Sequence, residues 1–334
     1  MESARLDELI RDFRRRRVLV VGDCMLDEYL WGRVSRISPE APVMVVEQER
    51  TSHAAGGASN VAANLVALGA QAGICGVCGR DAMADMLRDE LDRLGVDYTG
   101  VITDPSRPTT VKTRIIAHNQ QIVRVDREDR APIDPAVESA LIEQMTREIT
   151  RADAVLFSDY NKGVLSERVV AEGLAAARAA GRPTLANVKP ANISLFRDLD
   201  LVQVNQSEAE AITGLSLRDE DGARQAGQRL LRMCRCQAAL ITQGGHGLSL
   251  FERDGKVHQI PALEQEVYDV AGAGDSVVAA AALAIAFGAP WPAVGVLANC
   301  AGNAKVRKLG VVPVTPDDLR SMWLLAHPVP VERA

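Results

Sequence analysis

Two glycines followed by an aspartate, within residues 269–275, form the part of the sequence best suited to chemistry. These residues read Asp-Val-Ala-Gly-Ala-Gly-Asp and lead directly into an alanine-rich run that predicts a helix over residues 276–287. Glycine lets the backbone approach a ligand closely, and a helix N-terminus presents unpaired N–H groups to an anion. An aspartate in the same turn can accept a proton from a hydroxyl group. Because phosphoryl transfer depends on positioning and charge stabilisation, an anion site beside a base indicates that reaction.

The same turn also fits a structural role, in which Asp275 only caps the helix that follows. The residues of the turn leave both interpretations open. Two common nucleotide motifs are excluded, because no stretch matches Gly-x4-Gly-Lys-Ser/Thr and Val277 stands where a dinucleotide fingerprint has its third glycine. A zinc site is disfavoured, because the pair Cys234 and Cys236 is too tightly spaced for a zinc hairpin.

Apolar runs separated by helical patterns predict the elements that position this turn. Continuous apolar runs indicate buried parallel strands, and the segments between them have apolar residues at helical spacing. The predicted strands lie at residues 18–23, 71–79, 152–160, 201–205 and 239–243, and the predicted helices at residues 58–68, 84–94 and 166–180. This alternation favours an α/β three-layer sandwich with a mostly parallel central sheet.

Two segments interrupt the alternation of strand and helix. Residues 31–49 contain a strand-like run after Ser-Pro-Glu-Ala-Pro, and residues 109–126 predict a hairpin. Both have the pattern of antiparallel strands that are partly polar on each face. We expect them to pair into a small β-sheet that covers the site as a lid. The prediction is one domain over residues 1–330, interrupted by lid strands from residues 30–50 and 108–127.

Composition and charge narrow the class of protein. The 334 residues are 25% charged and carry a formal net charge of −6, which offers no basic surface for nucleic acid. The apolar stretch at residues 277–287 is too short to cross a bilayer, and no secretory signal precedes the first strand. Six scattered cysteines suit a reducing compartment. We therefore expect a cytoplasmic protein without a nucleic-acid or membrane partner.

Two segments together resemble the signatures of the ribokinase-like (PfkB) carbohydrate kinases. The early one is Gly56-Gly57-Ala58-x-Asn60, and the late one is residues 269–275. The resemblance covers nearly the whole chain and implies an ATP-dependent sugar kinase with the ribokinase-like fold. A nucleotide-binding module without chemistry is the alternative from another class, and the intact Gly-Ala-Gly-Asp turn argues against it.

Four further segments resemble one branch of that family, the kinases that phosphorylate D-glycero-β-D-manno-heptose 7-phosphate at its C1 hydroxyl. The four segments are residues 22–27, 35–43, 119–124 and 158–163. The resemblance implies that the product is the heptose 1,7-bisphosphate, on the way to ADP-heptose for lipopolysaccharide core. The alternative within the family is a kinase for another sugar or a nucleoside, with the same catalytic turn and a different lid.

The resemblance also implies roles for individual residues. Asp275 is the expected catalytic base, and the backbone N–H groups of Gly272, Ala273 and Gly274 are expected to stabilise the transferring phosphoryl group. The residues expected to bind the sugar phosphate, with the cations at its phosphate, are Asp27, Gly56, Gly57, Asn60, Lys112, Arg114, Asn119, Arg124, Asp159 and Lys162. The residues expected to bind ATP are Lys189, Asn205, Gln206, Ser207, Glu208, Thr242, Gly244, Gly247 and Asn299. Glu208 is expected to order Mg²⁺ through water, although Ser207 is also suited to cap a helix beginning there.

Three positions depart from the family pattern. Asn187 stands where an aspartate is usual, and Gln203 and Ala271 each stand where a threonine is usual. Some relatives are fused to a nucleotidyltransferase with a His-x-Gly-His motif, which is absent here, so we expect another protein to perform that step. The resemblance, together with partly apolar lid strands that would otherwise expose open edges, implies a homodimer joined through those strands.

Overall fold

Strands that are buried on both faces form the centre of the molecule. The computed structural model describes residues 3–118, 120–263 and 266–326. The described strands, in chain order, are β1 (Arg17–Gly22), β2 (Cys24–Ile37), β3 (Met44–Gly57), β4 (Gln71–Cys78), β5 (Asp97–Thr103), β6 (Val111–Ala117), β7 (Gln120–Arg127), β8 (Ala154–Ser158), β9 (Thr184–Asn187), β10 (Leu201–Asn205), β11 (Ala238–Thr242), β12 (Leu248–Glu252) and β13 (Val257–Ile260).

Nine of these strands form one large sheet in the order β13-β12-β11-β10-β9-β8-β1-β4-β5. The neighbouring strands run parallel, except that β12 is antiparallel to both β11 and β13. Successive side chains of a strand point to opposite faces. Val18 and Val20 of β1 therefore pack into one hydrophobic core, and Leu19 and Val21 pack into another. The predicted mostly parallel central sheet is confirmed.

Helices cover both faces of the large sheet, as the predicted three-layer sandwich requires. The described α-helices are α1 (Ser3–Asp12), α2 (Ala58–Ala67), α3 (Ala82–Leu94), α4 (Pro135–Ile149), α5 (Glu167–Ala179), α6 (Gln206–Thr213), α7 (Glu220–Cys234), α8 (Ala273–Phe287), α9 (Trp291–Val306) and α10 (Pro316–Ala326). Residues of α2, α8 and α9 belong to one core, and residues of α4, α5 and α7 belong to the other. None of the helices in the described ranges has both the length and the apolar character that crossing a membrane needs.

A second, four-stranded sheet, called here the small sheet, has the order β3-β2-β6-β7. The pairs β2–β3 and β6–β7 are antiparallel, as expected, but the central pair β2–β6 is parallel. The expectation of antiparallel pairing alone was therefore wrong for the centre of this sheet. The reason is that β2 follows the carboxyl end of β1 and β6 follows that of β5, so both strands leave the same edge of the large sheet in the same direction.

The register of β6 and β7 separates charged from apolar side chains on the small sheet. Lys112 pairs with Asp126 and Arg114 with Arg124, whereas the alternate pairs are Thr113 with Val125 and Ile115 with Val123. Because side chains alternate between faces along a strand, one face carries charges and the other is largely apolar.

The end of β1 depends on a very close approach to β8, which leads to a stability prediction. An added Cβ at Gly22 would lie 2.1 Å from the carbonyl oxygen of Ser158, so the Gly22→Ala substitution must push two backbones apart. We expect the free energy of unfolding, measured by urea denaturation, to fall by about 1–3 kcal/mol. The control is Gly245→Ala, where an added Cβ meets no atom within 4 Å. Equal losses in the two variants would contradict the close approach.

Candidate active site

Asp275 lies in the first turn of α8 with both carboxylate oxygens hydrogen-bonded. The N-cap of α8 is Gly272, at a φ of +76°, so the helix begins before Asp275, and the interpretation of Asp275 as a cap is wrong. Oδ1 accepts a hydrogen bond from the Tyr160 hydroxyl, and Oδ2 accepts one from Nδ2 of Asn60 at 2.5 Å. Burial raises the pKa of Asp275, and these two hydrogen bonds act in the opposite direction because they stabilise the charged form.

The loop before α8 is shaped by the carboxylate of Asp269. Its Oδ1 accepts a hydrogen bond from the backbone N–H of Ala271, and its Oδ2 accepts one from that of Gly310, both at 2.9 Å. An added Cβ at Gly272 would lie 2.9 Å from Nδ2 of Asn60, so only glycine allows this approach at a positive φ. The loop is thereby fixed next to Asn60 and Asp275 before any ligand binds.

A cavity of 460 Å³ lies beside Asp275 and is lined by residues of the small sheet, α2 and the loop before α8. The lining includes six of the residues expected to bind the sugar phosphate and three of the catalytic turn: Asp27, Gly57, Asn60, Lys112, Arg114, Arg124, Gly272, Gly274 and Asp275. Gly56 contributes indirectly, because an added Cβ there would lie 2.9 Å from the carboxyl carbon of Asp27. The structure therefore brings most of the predicted sugar-binding residues to the predicted base.

Three cations project from the small sheet into this cavity, and each has a carboxylate partner. Arg114 donates to Oδ1 of Asp27 at 2.7 Å. Nζ of Lys112 lies 3.2 Å from Oδ2 of Asp126, and Nε of Arg124 lies 2.7 Å from its Oδ1. Burial raises the pKa of Asp27, and the charge of Arg114 lowers it. The side of the cavity formed by β6 and β7 thus carries three cationic side chains, each beside a carboxylate.

Two other residues expected to bind the sugar lie behind the cavity. Asp159 is fully buried, and its Oδ2 accepts a hydrogen bond from the backbone N–H of Lys189 at 3.0 Å. Lys162 is 8% exposed, and its Nζ lies 2.7 Å from Oε2 of Glu128. Both residues shape the loop after β8 and do not line the cavity. Asn119, the remaining residue of this group, lies outside the described residues.

A second cavity, of 810 Å³, meets the first at Val270 and Gly274. It is lined by Ala273 and by seven of the residues expected to bind ATP: Asn205, Gln206, Ser207, Thr242, Gly244, Gly247 and Asn299. Asn299 also donates from Nδ2 to the carbonyl oxygen of Pro261 at 2.9 Å, which confirms its structural interpretation, and its contact with ATP stays a prediction. The two cavities therefore join one residue before Asp275.

Lys189 and Glu208 form an ion pair beside the second cavity without lining it. Nζ of Lys189 lies 2.5 Å from Oε1 of Glu208. The other oxygen, Oε2, accepts from the backbone N–H of Asn205 at 2.8 Å, and Oδ1 of Asn205 accepts from the N–H of Glu208 at 2.9 Å. This reciprocal capping box makes Asn205 the N-cap of α6, so the expected cap at Ser207 was wrong. The physical reason is that Asn205, at the end of β10, retains the extended backbone of an N-cap residue.

Two of the three departures from the family pattern form a single interaction. Asn187 and Gln203 are paired in the register of β9 and β10. Nδ2 of Asn187 donates a hydrogen bond to Oε1 of Gln203. A neutral amide pair therefore occupies this position, and Lys189, two residues on, is left with Glu208 as its carboxylate partner.

One family of known proteins matches a part of the sequence that includes all the residues lining both cavities. The profile of the pfkB family carbohydrate kinases matches residues 15–318. The chain belongs to this family. It is an ATP-dependent carbohydrate kinase, as the two signatures predict, and a divalent metal is typical of such enzymes.

Curated relatives of this pfkB kinase are similar over almost its whole length. The bifunctional protein HldE of Geotalea uraniireducens is 42% identical over 328 residues, which are 98% of this chain and 67% of the relative. HldE of Geobacter metallireducens is 43% identical over 319 residues, which are 96% of this chain and 65% of the relative. The kinase thus spans about two thirds of the length of these relatives.

Two solved structures of kinases share the fold. Phosphofructokinase-2 of Escherichia coli, in complex with substrates and products, superposes with a TM-score of 0.78 at 20% identity and covers 93% of this chain and 100% of its own. Ribokinase of Arabidopsis thaliana, in complex with ribose and ATP, superposes with a TM-score of 0.71 at 19% identity. The match covers 92% of this chain and 98% of the ribokinase chain. The ribokinase-like fold is therefore confirmed.

Two residues of the kinase site were missed by sequence reasoning. Tyr160 lies inside the family-like segment 158–163 but was assigned no role. Lys305 is 1% exposed, and its Cε lies 3.7 Å from the position of an added Cβ at Gly272. Burial lowers the pKa of Lys305, and the nearby charge of Asp269 raises it. The sequence signal that could have identified Lys305 is a lysine among the buried residues of α9, because a cation is rarely buried without a function or a partner.

Proposed function

We propose that this kinase transfers the γ-phosphate of ATP to the C1 hydroxyl of D-glycero-β-D-manno-heptose 7-phosphate, giving the 1,7-bisphosphate for ADP-heptose and lipopolysaccharide core. The main support is the carboxylate of Asp275 at the junction of two cavities, one of which carries three cations. The segments that resemble the heptose branch, and the similarity to proteins named HldE, favour this sugar.

The proposed chemistry needs a base for the acceptor hydroxyl and a turn that stabilises charge on the transferring phosphoryl group, held in a fixed position relative to each other. The C1 hydroxyl oxygen attacks the γ-phosphorus in line, its proton passes to Asp275, and ADP leaves. The amides of residues 272–274 stabilise the charge on the transferring group, because they belong to the turn that begins α8. Lys305 adds positive charge beneath the same turn. Closure of the small sheet as a lid over the sugar would exclude water, so that ATP is not hydrolysed.

The cations of the small sheet are proposed to bind the 7-phosphate. Lys112 and Arg124 share the carboxylate of Asp126 in the free protein. A phosphate carries more negative charge than a carboxylate and accepts bidentate hydrogen bonds from arginine. It can therefore replace Asp126 as the partner of Arg124, while Arg114 stays with Asp27 near the sugar hydroxyls.

Mg²⁺ is the proposed metal, held mainly by the ATP phosphates and water. In the described parts of the chain no cluster of three or more His, Cys, Asp or Glu side chains is arranged to hold a metal. Glu208 fits a water-mediated contact, because both of its oxygens already accept hydrogen bonds from Lys189 and Asn205. When bound, the metal neutralises phosphate charge. Asn205 and Glu208 would keep its water ligands oriented, and a cytoplasmic location would supply both Mg²⁺ and ATP.

Replacing the proposed base tests the chemistry. Asp275→Asn keeps the size of the side chain but cannot accept the proton, so we expect kcat to fall at least ~100-fold. ATP binding, measured by calorimetry, should change little because Asp275 does not line the larger cavity. The control is Asp254→Asn, at the exposed turn between β12 and β13. Near-normal turnover in Asp275→Asn would eliminate Asp275 as the base.

A substrate panel tests the sugar. ADP release is measured with the heptose 7-phosphate, the unphosphorylated heptose and other sugars and sugar phosphates. We expect Arg124→Gln to raise KM for the heptose 7-phosphate roughly tenfold while kcat changes less, because a phosphate contact is lost. Arg147→Gln, on the exposed face of α4, is the matched control. Preference for an unphosphorylated sugar would support the alternative kinase.

The outer face of the small sheet is proposed to join two copies of the chain. Val123 and Val125 are 45% and 53% exposed on the face opposite the cations, and Ile37 and Met44 are 65% and 50% exposed at the end of the β2–β3 hairpin. Exposed apolar side chains beside the open edges of β3 and β7 favour pairing.

Light scattering tests this homodimer. We expect a mass twice that of the 35.9 kDa chain, and a shift to the monomer in the double variant Val123→Glu, Val125→Glu, since the charges would be buried. Met233→Glu, on α7 and away from the small sheet, should leave the mass unchanged. A monomeric wild type would disprove the interface.

A further inference from the structure

Tyr160 reaches the catalytic carboxylate from the large sheet, two residues after β8. Its hydroxyl donates to Oδ1 of Asp275. Its side chain also lines the smaller cavity, next to the expected position of the sugar. Asn60 binds the other oxygen, Oδ2, from the first turn of α2. The carboxylate therefore has one donor on each oxygen.

The backbone of Tyr160 is anchored by a carboxylate that has no part in the chemistry. Asp23 is 1% exposed, and its Oδ2 accepts a hydrogen bond from the N–H of Tyr160 at 2.8 Å. Asp23 also accepts hydrogen bonds from the N–H groups of Lys162 and Val164, at 3.2 and 3.3 Å. This places the loop after β8 in one conformation, so the phenol is directed at Asp275 without a ligand.

The phenol acts as a donor rather than an acceptor. Burial and the negative charge of Asp275 raise the pKa of Tyr160 well above its ordinary value, so the hydroxyl keeps its proton. Nζ of Lys189 lies 5.5 Å from the centre of the Tyr160 ring, on the side of the ATP-binding elements. The remaining charges around Asp275 are those of Asp27, which raises its pKa, and Lys189, which lowers it; the pKa of Lys305 is in turn raised by Asp275.

We propose that Tyr160 is a positioning residue for phosphoryl transfer: with Asn60 it fixes the plane of the Asp275 carboxylate and keeps that group ionised. The proposal rests on the proposed role of Asp275 as the base. Donors on both oxygens disfavour rotation of the carboxylate, and Asp275 lines the cavity where the acceptor hydroxyl must lie. Without Tyr160, Oδ1 would lose its donor while remaining half-buried, which favours the protonated, inactive form.

The test is the pH profile of Tyr160→Phe, which removes one oxygen and leaves the ring. Activity requires ionised Asp275, so kcat/KM falls at low pH with the pKa of that group. Loss of a donor to the charged form raises this pKa, and we expect the acidic limb to move to higher pH by about 1 unit. At pH values below the moved limb kcat should fall by up to roughly tenfold, because a pKa higher by about 1 unit leaves about a tenth as much ionised Asp275, and it should recover at higher pH, while KM for ATP stays within about twofold.

Two further variants keep the test decisive. Tyr98→Phe is the matched control, because its hydroxyl also donates to a carboxylate, Asp92 at 2.9 Å, but on the surface; its pH profile should match the wild type. Incorporation of 3-fluorotyrosine at position 160 keeps the fold and gives a more acidic, stronger donor, which should move the limb to lower pH. The assay uses the heptose 7-phosphate, or the sugar that the panel selects.

The outcomes separate this proposal from the proposed function. If Asp275→Asn is inactive but Tyr160→Phe shows an unmoved acidic limb, Tyr160 is not a positioning residue, although the base assignment stands. A uniform loss of kcat at every pH, with the acidic limb unmoved, would show that Tyr160 does not keep Asp275 ionised and would also overturn the proposal. If Asp275→Asn remains active, the proposed base is wrong, and the proposal for Tyr160 falls with it.

Discussion

Two hydrogen bonds to one carboxylate connect distant parts of the chain at the centre of the site. Tyr160 follows β8, Asn60 begins α2, and Asp275 begins α8, so the bonds join residues that are 115 and 215 positions apart. A half-buried carboxylate without donors would take up a proton, which would remove the proposed base. The packing of α2 against α8 and the anchoring of the Tyr160 loop by Asp23 therefore matter because they maintain this arrangement.

Charge is distributed by strand register around the same centre. The alternation of side chains along β6 and β7 directs Lys112, Arg114 and Arg124 to the cavity and leaves Val123 and Val125 on the opposite face. The face with the cations is the one proposed to bind the sugar phosphate, and the other face is the one proposed to contact a second copy of the chain. On the ATP side, Asn187 and Gln203, two of the departures from the family pattern, form a neutral amide pair, and Lys189 pairs with Glu208 beside the larger cavity.

Local patterns in the sequence predicted most of the elements, because their determinants are local. The strand predicted at residues 201–205 coincides with β10, and the strand at 71–79 differs from β4 by one residue. The glycine-rich segment likewise indicated the tight turn at the start of α8, since a positive φ such as that of Gly272 is a property of single residues. The family signatures brought Asp275, Asn60 and Asp27 into one predicted site, and all three line the same cavity.

The sequence by itself thus determined the alternation of strands and helices, the kinase family and the identity of the proposed base. Tertiary structure alone decided which polar side chains face a cavity. Asp159 and Lys162 belong to a family-like segment, yet they point into loop packing, whereas Tyr160 between them points at Asp275. It also decided that β2 and β6 run parallel and that Lys305 lies beneath the catalytic turn. These outcomes depend on contacts between residues far apart in the chain, and spacing along the sequence carries no information about such contacts.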